Sequence, residues 1–192
     1  MRLRWLITTT LVIIVASVAF LLVNPTPKPA LANPSGGWAS STSPGRANMG
    51  YPVFVRWLRP GRVTLTGVQL IPVPGYRLPP FTATGTLFPK PPKKDLAIGI
   101  TRSCRKARLG QIELFGIEVT NSSGPGTIDA AAGVRLTYTS EGSSFSVDIG
   151  DGAFVCWSAK TSSCPGQSGG AVGARIVATQ HRLGVSDGLL TS

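Results

Sequence analysis

A chain of 192 residues holds one ordinary domain with an appendage, not two full domains. Its 23 Gly, 16 Pro and 14% charged residues argue against long helices and for short strands joined by turns. The net charge of +11 is concentrated: residues 46–108 carry twelve Lys/Arg against Asp95, whereas 109–192 carry four basic and seven acidic side chains.

Arg2 and Arg4 precede Trp5 to Val23, a run without charge, Pro or Gly. As a helix rising 1.5 Å per residue it spans about 30 Å, one hydrocarbon core. Asn24, Pro25, Pro27 and Pro29 end it. The basic flank favours a cytoplasmic N-terminus and a C-terminal part outside. Residues 1–23 are thus expected to be a transmembrane anchor. The alternative is a secretory signal cut before Asn33, after the A-x-A pattern Ala30-Leu31-Ala32. Residues 24–50, rich in Pro, Ser, Gly and Ala, read as a linker. Residues 51–192 read as the extracytoplasmic domain.

From Tyr51 onward, apolar residues alternate. Val53, Val55 and Trp57 share one face of the segment Pro52 to Leu58. Within Arg62 to Ile71, Val63 and Leu65 give way to Val68 and Leu70 after a break at Gly67, which predicts a bulged strand. Further candidates are Phe81 to Phe88, Leu96 to Thr101, Gln111 to Thr120, Gly133 to Thr139, Ser144 to Ile149, Gly152 to Ser158 and Arg175 to Val185. A hairpin is expected at Gly150-Asp151-Gly152, with Val147, Ile149, Phe154 and Cys156 as core candidates beside Val134, Leu136 and Tyr138. No later segment shows a sustained helical period. These features predict an all-β protein, an antiparallel β-sandwich of about 7–9 strands behind one transmembrane helix.

The region 51–165, with VTLTGVQLIP near its start and GVRLTYTSEG and GAFVCW near its end, resembles secreted or membrane-anchored proteins of high-GC Gram-positive bacteria. That resemblance implies an immunoglobulin-like fold and carries no functional residue.

Outside the cytoplasm two of Cys104, Cys156 and Cys164 should be oxidised. Cys156 with Cys164 is the favoured pair, closing a short polar loop, and Cys104 with either is the alternative. Three cysteines and one distant His form no recognisable zinc set, so neither metal nor cofactor is expected. Cys164 to Ala171 (CPGQSGGA) resembles the nucleophile segment of trypsin-like serine proteases, with Ser168 in the nucleophile place. The only histidine, His181, follows that serine, whereas the family's base precedes it, and Gln167 replaces an acid. A serine without a base keeps its proton. Glu113 and Glu118, five residues apart, should face oppositely on one strand.

Two basic clusters remain: Lys90, Lys93 and Lys94, and Arg102, Arg105, Lys106 and Arg108. Without interleaved aromatics, and outside the cytoplasm, they suit anionic lipid or wall polymer better than nucleic acid. An envelope protein is the other partner considered. The expectation is a tethered, non-catalytic binding or scaffolding domain at the cell membrane. An extracytoplasmic hydrolase of unfamiliar type is the alternative.

Overall fold

The computed structural model describes residues 13–14, 27–34, 38–41, 48–84, 101–104, 111–156 and 170–185. Ten strands and one longer helix fall among them. The strands are β1 (Leu31–Ala32), β2 (Trp38–Ser41), β3 (Asn48–Trp57), β4 (Gly61–Pro72), β5 (Phe81–Thr84), β6 (Thr101–Cys104), β7 (Gln111–Thr120), β8 (Ile128–Ser140), β9 (Ser143–Ile149) and β10 (Asp151–Cys156). The helix, α1, is Gly170–Leu183. The first sheet runs β1-β3-β7-β5. The second runs β2-β10-β8-β4-β6, with β9 also on β8. All pairings are antiparallel except that of β2 with β10.

The two sheets pack face to face. Val53, Val55, Phe115 and Ile117 of the first share one buried cluster with Leu65, Leu136, Tyr138 and Val155 of the second. Burying each such side chain is worth about 1.5–3 kcal/mol. The alternation read at Val53, Val55 and Trp57 holds, and so does that at Val134, Leu136 and Tyr138. The β4–β8 register slips between Leu65 and Gly67, which makes Thr66 the extra residue of a bulge and keeps Val68 and Leu70 pointing inward. The strand order departs from the immunoglobulin arrangement, where strands such as A–B and F–G follow one another within a sheet. Here every step from β3 to β8 changes sheet.

Several expectations are corrected. The hairpin lies at Glu141-Gly142, where both residues have positive φ (51° and 78°) and Ser140 pairs with Ser143, as a two-residue type I′ turn requires. At Gly150 the chain does not reverse. Strands β9 and β10 run on in one direction along the same edge of β8, first against Ser140 to Val134 and then against Ala131 to Ile128. Ala153 and Val155 therefore face the core, and Phe154 packs on the other side.

Arg175 to Val185 is not a strand. Val172, Ile176, Thr179 and Gln180 form one buried helical stripe against the outer face of the second sheet, with Val172 and Ile176 packed on Ile71, Val73, Ala130 and Ala132. A Schellman cap closes this helix. Gly184 (φ 68°) donates its N–H to the His181 carbonyl at 3.1 Å, and the Val185 N–H reaches the Gln180 carbonyl at 3.0 Å. Buried Val185 supplies the apolar contact usual beyond such a cap.

The stretch expected to be linker contributes β1, β2 and the start of β3. Ala30 and Leu31 are 0% and 2% exposed. Their N–H groups both donate to the Tyr138 hydroxyl at 3.1 Å, and Leu31 pairs with Trp57. Of residues 1–23 only Ile13 and Ile14 are described; they are helical and exposed. No helix among the described residues is long and apolar enough to cross a membrane. Phe81 to Phe88 and Leu96 to Thr101 are described only at Phe81–Thr84 and Thr101.

Two glycine substitutions should separate close approach from flexibility. A Cβ on Gly133 would collide with the Ile149 backbone carbonyl, whereas one on Gly173 would meet nothing within 4 Å. In urea unfolding, Gly133→Ala should lose about 1–3 kcal/mol. Gly173→Ala, within α1, should gain about 0.5–1 kcal/mol.

Candidate functional site

The junction at Gly150 collects more buried polar groups than a simple sheet needs. Strand β8, with 13 residues, outruns β9, with 7. Its remaining length pairs with β10, and between these partners the ladder is interrupted. Gln180 fills the interruption: its side-chain amide donates to the Ala132 carbonyl at 2.8 Å and to the Gly150 carbonyl at close range. The Gly150 N–H donates to Asn33 Oδ1 at 3.2 Å, and Asn33 Nδ2 donates to the Val185 carbonyl at 3.0 Å. One asparagine thus ties the entering chain to the kink and to the cap of α1.

Asp151 follows immediately, 2% exposed, and accepts the Phe54 N–H across the sandwich at 3.4 Å. Burial above all, and the Asp151 charge beside it, hold the Tyr51 hydroxyl well above the usual phenol range. Tyr51 is therefore neutral wherever the domain is folded at physiological pH. This junction joins the entering chain, the sheet kink and the helix cap.

The second buried carboxylate, Asp129, organises the loop 121–127. It accepts the Ser122 N–H at 2.7 Å, the Ser122 hydroxyl at 3.1 Å and the Ser123 hydroxyl at 2.5 Å. Asn121 donates to the carbonyls of Thr127 and Val155, both at 3.1 Å, while its Oδ1 caps the N–H groups of Ser123 and Gly124. Asp129 opposes Val155, four residues along from Asp151. Such a spacing is roughly 13 Å, beyond the 5–9.5 Å that paired glycosidase carboxyls need.

A register shift in the β3–β7 ladder, where Val53 pairs with Phe115 and Phe54 with Glu113, corrects the reading of positions 113 and 118. They oppose Phe54 and Gly50 and so share one face, although four ladder positions still separate them. His181 stands exposed on the last turn of α1. Ser168, Gln167 and Cys164 lie outside the described residues, as do Lys90, Lys93, Lys94, Arg105, Lys106 and Arg108.

Arg102 is described, in β6 instead of beside a strand. Directly paired with Val63, it shares the face of that core residue and is half-buried. Cys104, another half-buried residue of the same edge strand, is a thiol. Arg135 makes a bidentate pair with Asp148, both contacts 2.7 Å, across β8 and β9, and this holds its guanidinium protonation upward. Among the described residues, no three His, Cys, Asp or Glu side chains gather as a metal set.

Sequence reasoning missed the end of the sandwich where the chain enters. The Arg59 guanidinium donates to the Lys28 carbonyl at 2.7 Å and to Glu141 at 2.6 Å, and the Leu58 N–H donates to the Ala30 carbonyl at 2.8 Å. Leu58 itself is 45% exposed. The available signal was parity: with Val53, Val55 and Trp57 inward, Leu58 must point out, beside the Arg59-Pro60-Gly61 turn.

No family model, curated protein or solved structure matches this chain.

Two measurements check the roles of these buried groups. Gln180→Leu would leave the Ala132 and Gly150 carbonyls without their donor and should cost about 1–3 kcal/mol in denaturant unfolding. For Tyr51, the folded hydroxyl holds its proton more tightly than the unfolded one. Stability should therefore be intact below about pH 10 and fall above it, by up to about 1.4 kcal/mol per pH unit. Tyr51→Phe should flatten that alkaline slope in unfolding titrations; an unchanged slope would assign it to other groups.

Proposed function

We propose that this chain is a single-pass envelope protein. Its N-terminal apolar segment remains in the membrane, and its two-sheet domain serves outside the cytoplasm as a non-catalytic binding or scaffolding unit. One observation carries the reading. Ala30 and Leu31, the start of the only A-x-A motif that could follow a signal segment, are core residues bonded to Tyr138 and paired with β3. Cleavage before Asn33 would remove a strand and two buried side chains from the sandwich. Retention keeps the fold whole and leaves the Trp5–Val23 run attached.

The polar chemistry of the domain supports a non-catalytic role. Asp129 and Asp151 are buried in structural hydrogen bonds, whereas His181 is exposed on the last turn of α1. Cysteine usage fits the compartment: in this reading Cys156 and Cys164 form the bridge and Cys104, a thiol, is left over.

Alkaline carbonate extraction of cells expressing the full chain tests the tether. The intact protein should stay with the membrane pellet, and N-terminal sequencing should find residues upstream of Ala30. A soluble product beginning at Asn33 would refute retention. Non-reducing peptide mapping after denaturing alkylation should yield Cys156 linked to Cys164, with the alkyl group on Cys104. A bridge involving Cys104 would refute the pairing.

A further inference from the structure

We infer that the end of the sandwich formed by the Leu58–Gly61 turn, the Glu141-Gly142 hairpin and the entering residues 28–30 docks on the anionic phospholipid headgroups of the membrane that holds the N-terminal segment. This inference rests on the retained-anchor reading and adds to it an orientation and a contact surface.

Chain length comes first. Asn24 to Pro29 are the six residues between the apolar run and buried Ala30. Even fully extended they reach only roughly 20 Å. The polar zone on each side of the hydrocarbon takes up about 5–8 Å of that. The domain therefore hangs on a tether little longer than a turn of chain, and the end it enters by must lie nearest the bilayer.

That end is fixed by hydrogen bonds. The Ala30 carbonyl is held by the Leu58 N–H and the Lys28 carbonyl by Arg59, whose other contact is Glu141 on the neighbouring hairpin. The entry, the turn and the hairpin consequently form one surface. Strand β6 also ends there, with Cys104 opposite Gly61.

Composition then selects the partner. Lys28 and Arg59 stand against Glu141 alone on these segments, Glu141 is already paired with Arg59, and exposed Arg62 follows directly after the turn. Leu58, exposed at the tip, offers an apolar side chain of the kind that enters an interface beside basic residues. The residues that follow Cys104 in the sequence are Arg105, Lys106, Ala107 and Arg108. Lys28 and Arg62, held this close, lie within reach of the negative surface potential of an anionic leaflet.

The test uses the full chain with Cys104→Ser, carrying a nitroxide at Leu58→Cys or, as reference, at Ser146→Cys on an exposed position of β9. Each is reconstituted into vesicles of phosphatidylcholine alone or with phosphatidylglycerol. Co-flotation with the vesicles reports the anchor, and relaxation by a water-soluble paramagnetic chelate reports docking. The expected result is flotation in both lipids. With phosphatidylglycerol, the Leu58 site should lose most of its relaxation while Ser146 keeps its own. Lys28→Glu with Arg62→Glu should restore relaxation at Leu58, as should salt near 1 M, where the Debye length shrinks to about 3 Å. Flotation with equal relaxation at both sites overturns the docking surface and leaves the anchor standing. Failure to float overturns both.

Discussion

The fold turns on a mismatch of strand lengths. Strand β8 is too long for one neighbour, so β9 and β10 share its edge, and the backbone between them cannot complete its ladder. Buried carbonyls at Ala132 and Gly150 must find a donor, because an orphaned buried polar group costs about as much as a large share of a domain's net stability. The amide of Gln180 answers that need, and Gln180 can reach the gap only from a helix laid across the outer face. The helix then needs apolar ground, which Ile71, Val73, Ala130 and Ala132 provide. Gly133 keeps the crossing close, since any side chain there would strike the Ile149 carbonyl.

The same gap fastens the beginning of the domain. Asn33 takes the Gly150 N–H on one side of its amide and gives a hydrogen bond to the end of α1 on the other. Residues that composition marks as spacer are thereby bound to the latest described segment of the chain. The consequence is mechanical. If the Trp5–Val23 run is held in a membrane, a domain whose first described buried residue follows after only six intervening residues has little freedom to turn or stand away from the surface. In the anchored arrangement proposed above, the entry end is the face nearest the bilayer by proximity alone, before any charge is considered.

Much of the sandwich was legible because its inner faces follow a period of two. Val53, Val55 and Trp57, and later Val134, Leu136 and Tyr138, declare themselves by alternation, and Gly67 marks the bulge that preserves it. The helix was hidden for two reasons. Half of its buried stripe is polar (Thr179 and Gln180), and its β-branched Val172, Ile176 and Val177 favour strand by propensity. Packing overrode propensity there. Gly184, after Arg182 and before Val185, was the readable sign of a helix end. Gly150-Asp151-Gly152 misled in the opposite way, since glycines that allow a turn also allow a kink, and only the register along β8 distinguishes them. Strand β1 was invisible among prolines because two residues carry no period at all.

The central claim is that residues 28–34 belong to the folded domain. Native-state hydrogen exchange on the full-length protein in detergent micelles measures this directly, at the Ala30 and Leu31 amides that donate to Tyr138. Both amides should be protected to nearly the same degree as the central amides of β3, exchanging only when the sandwich opens as a unit. Exchange at the rate of an unstructured chain at those two positions, with β3 still protected, would return the segment to the role of a loose tether.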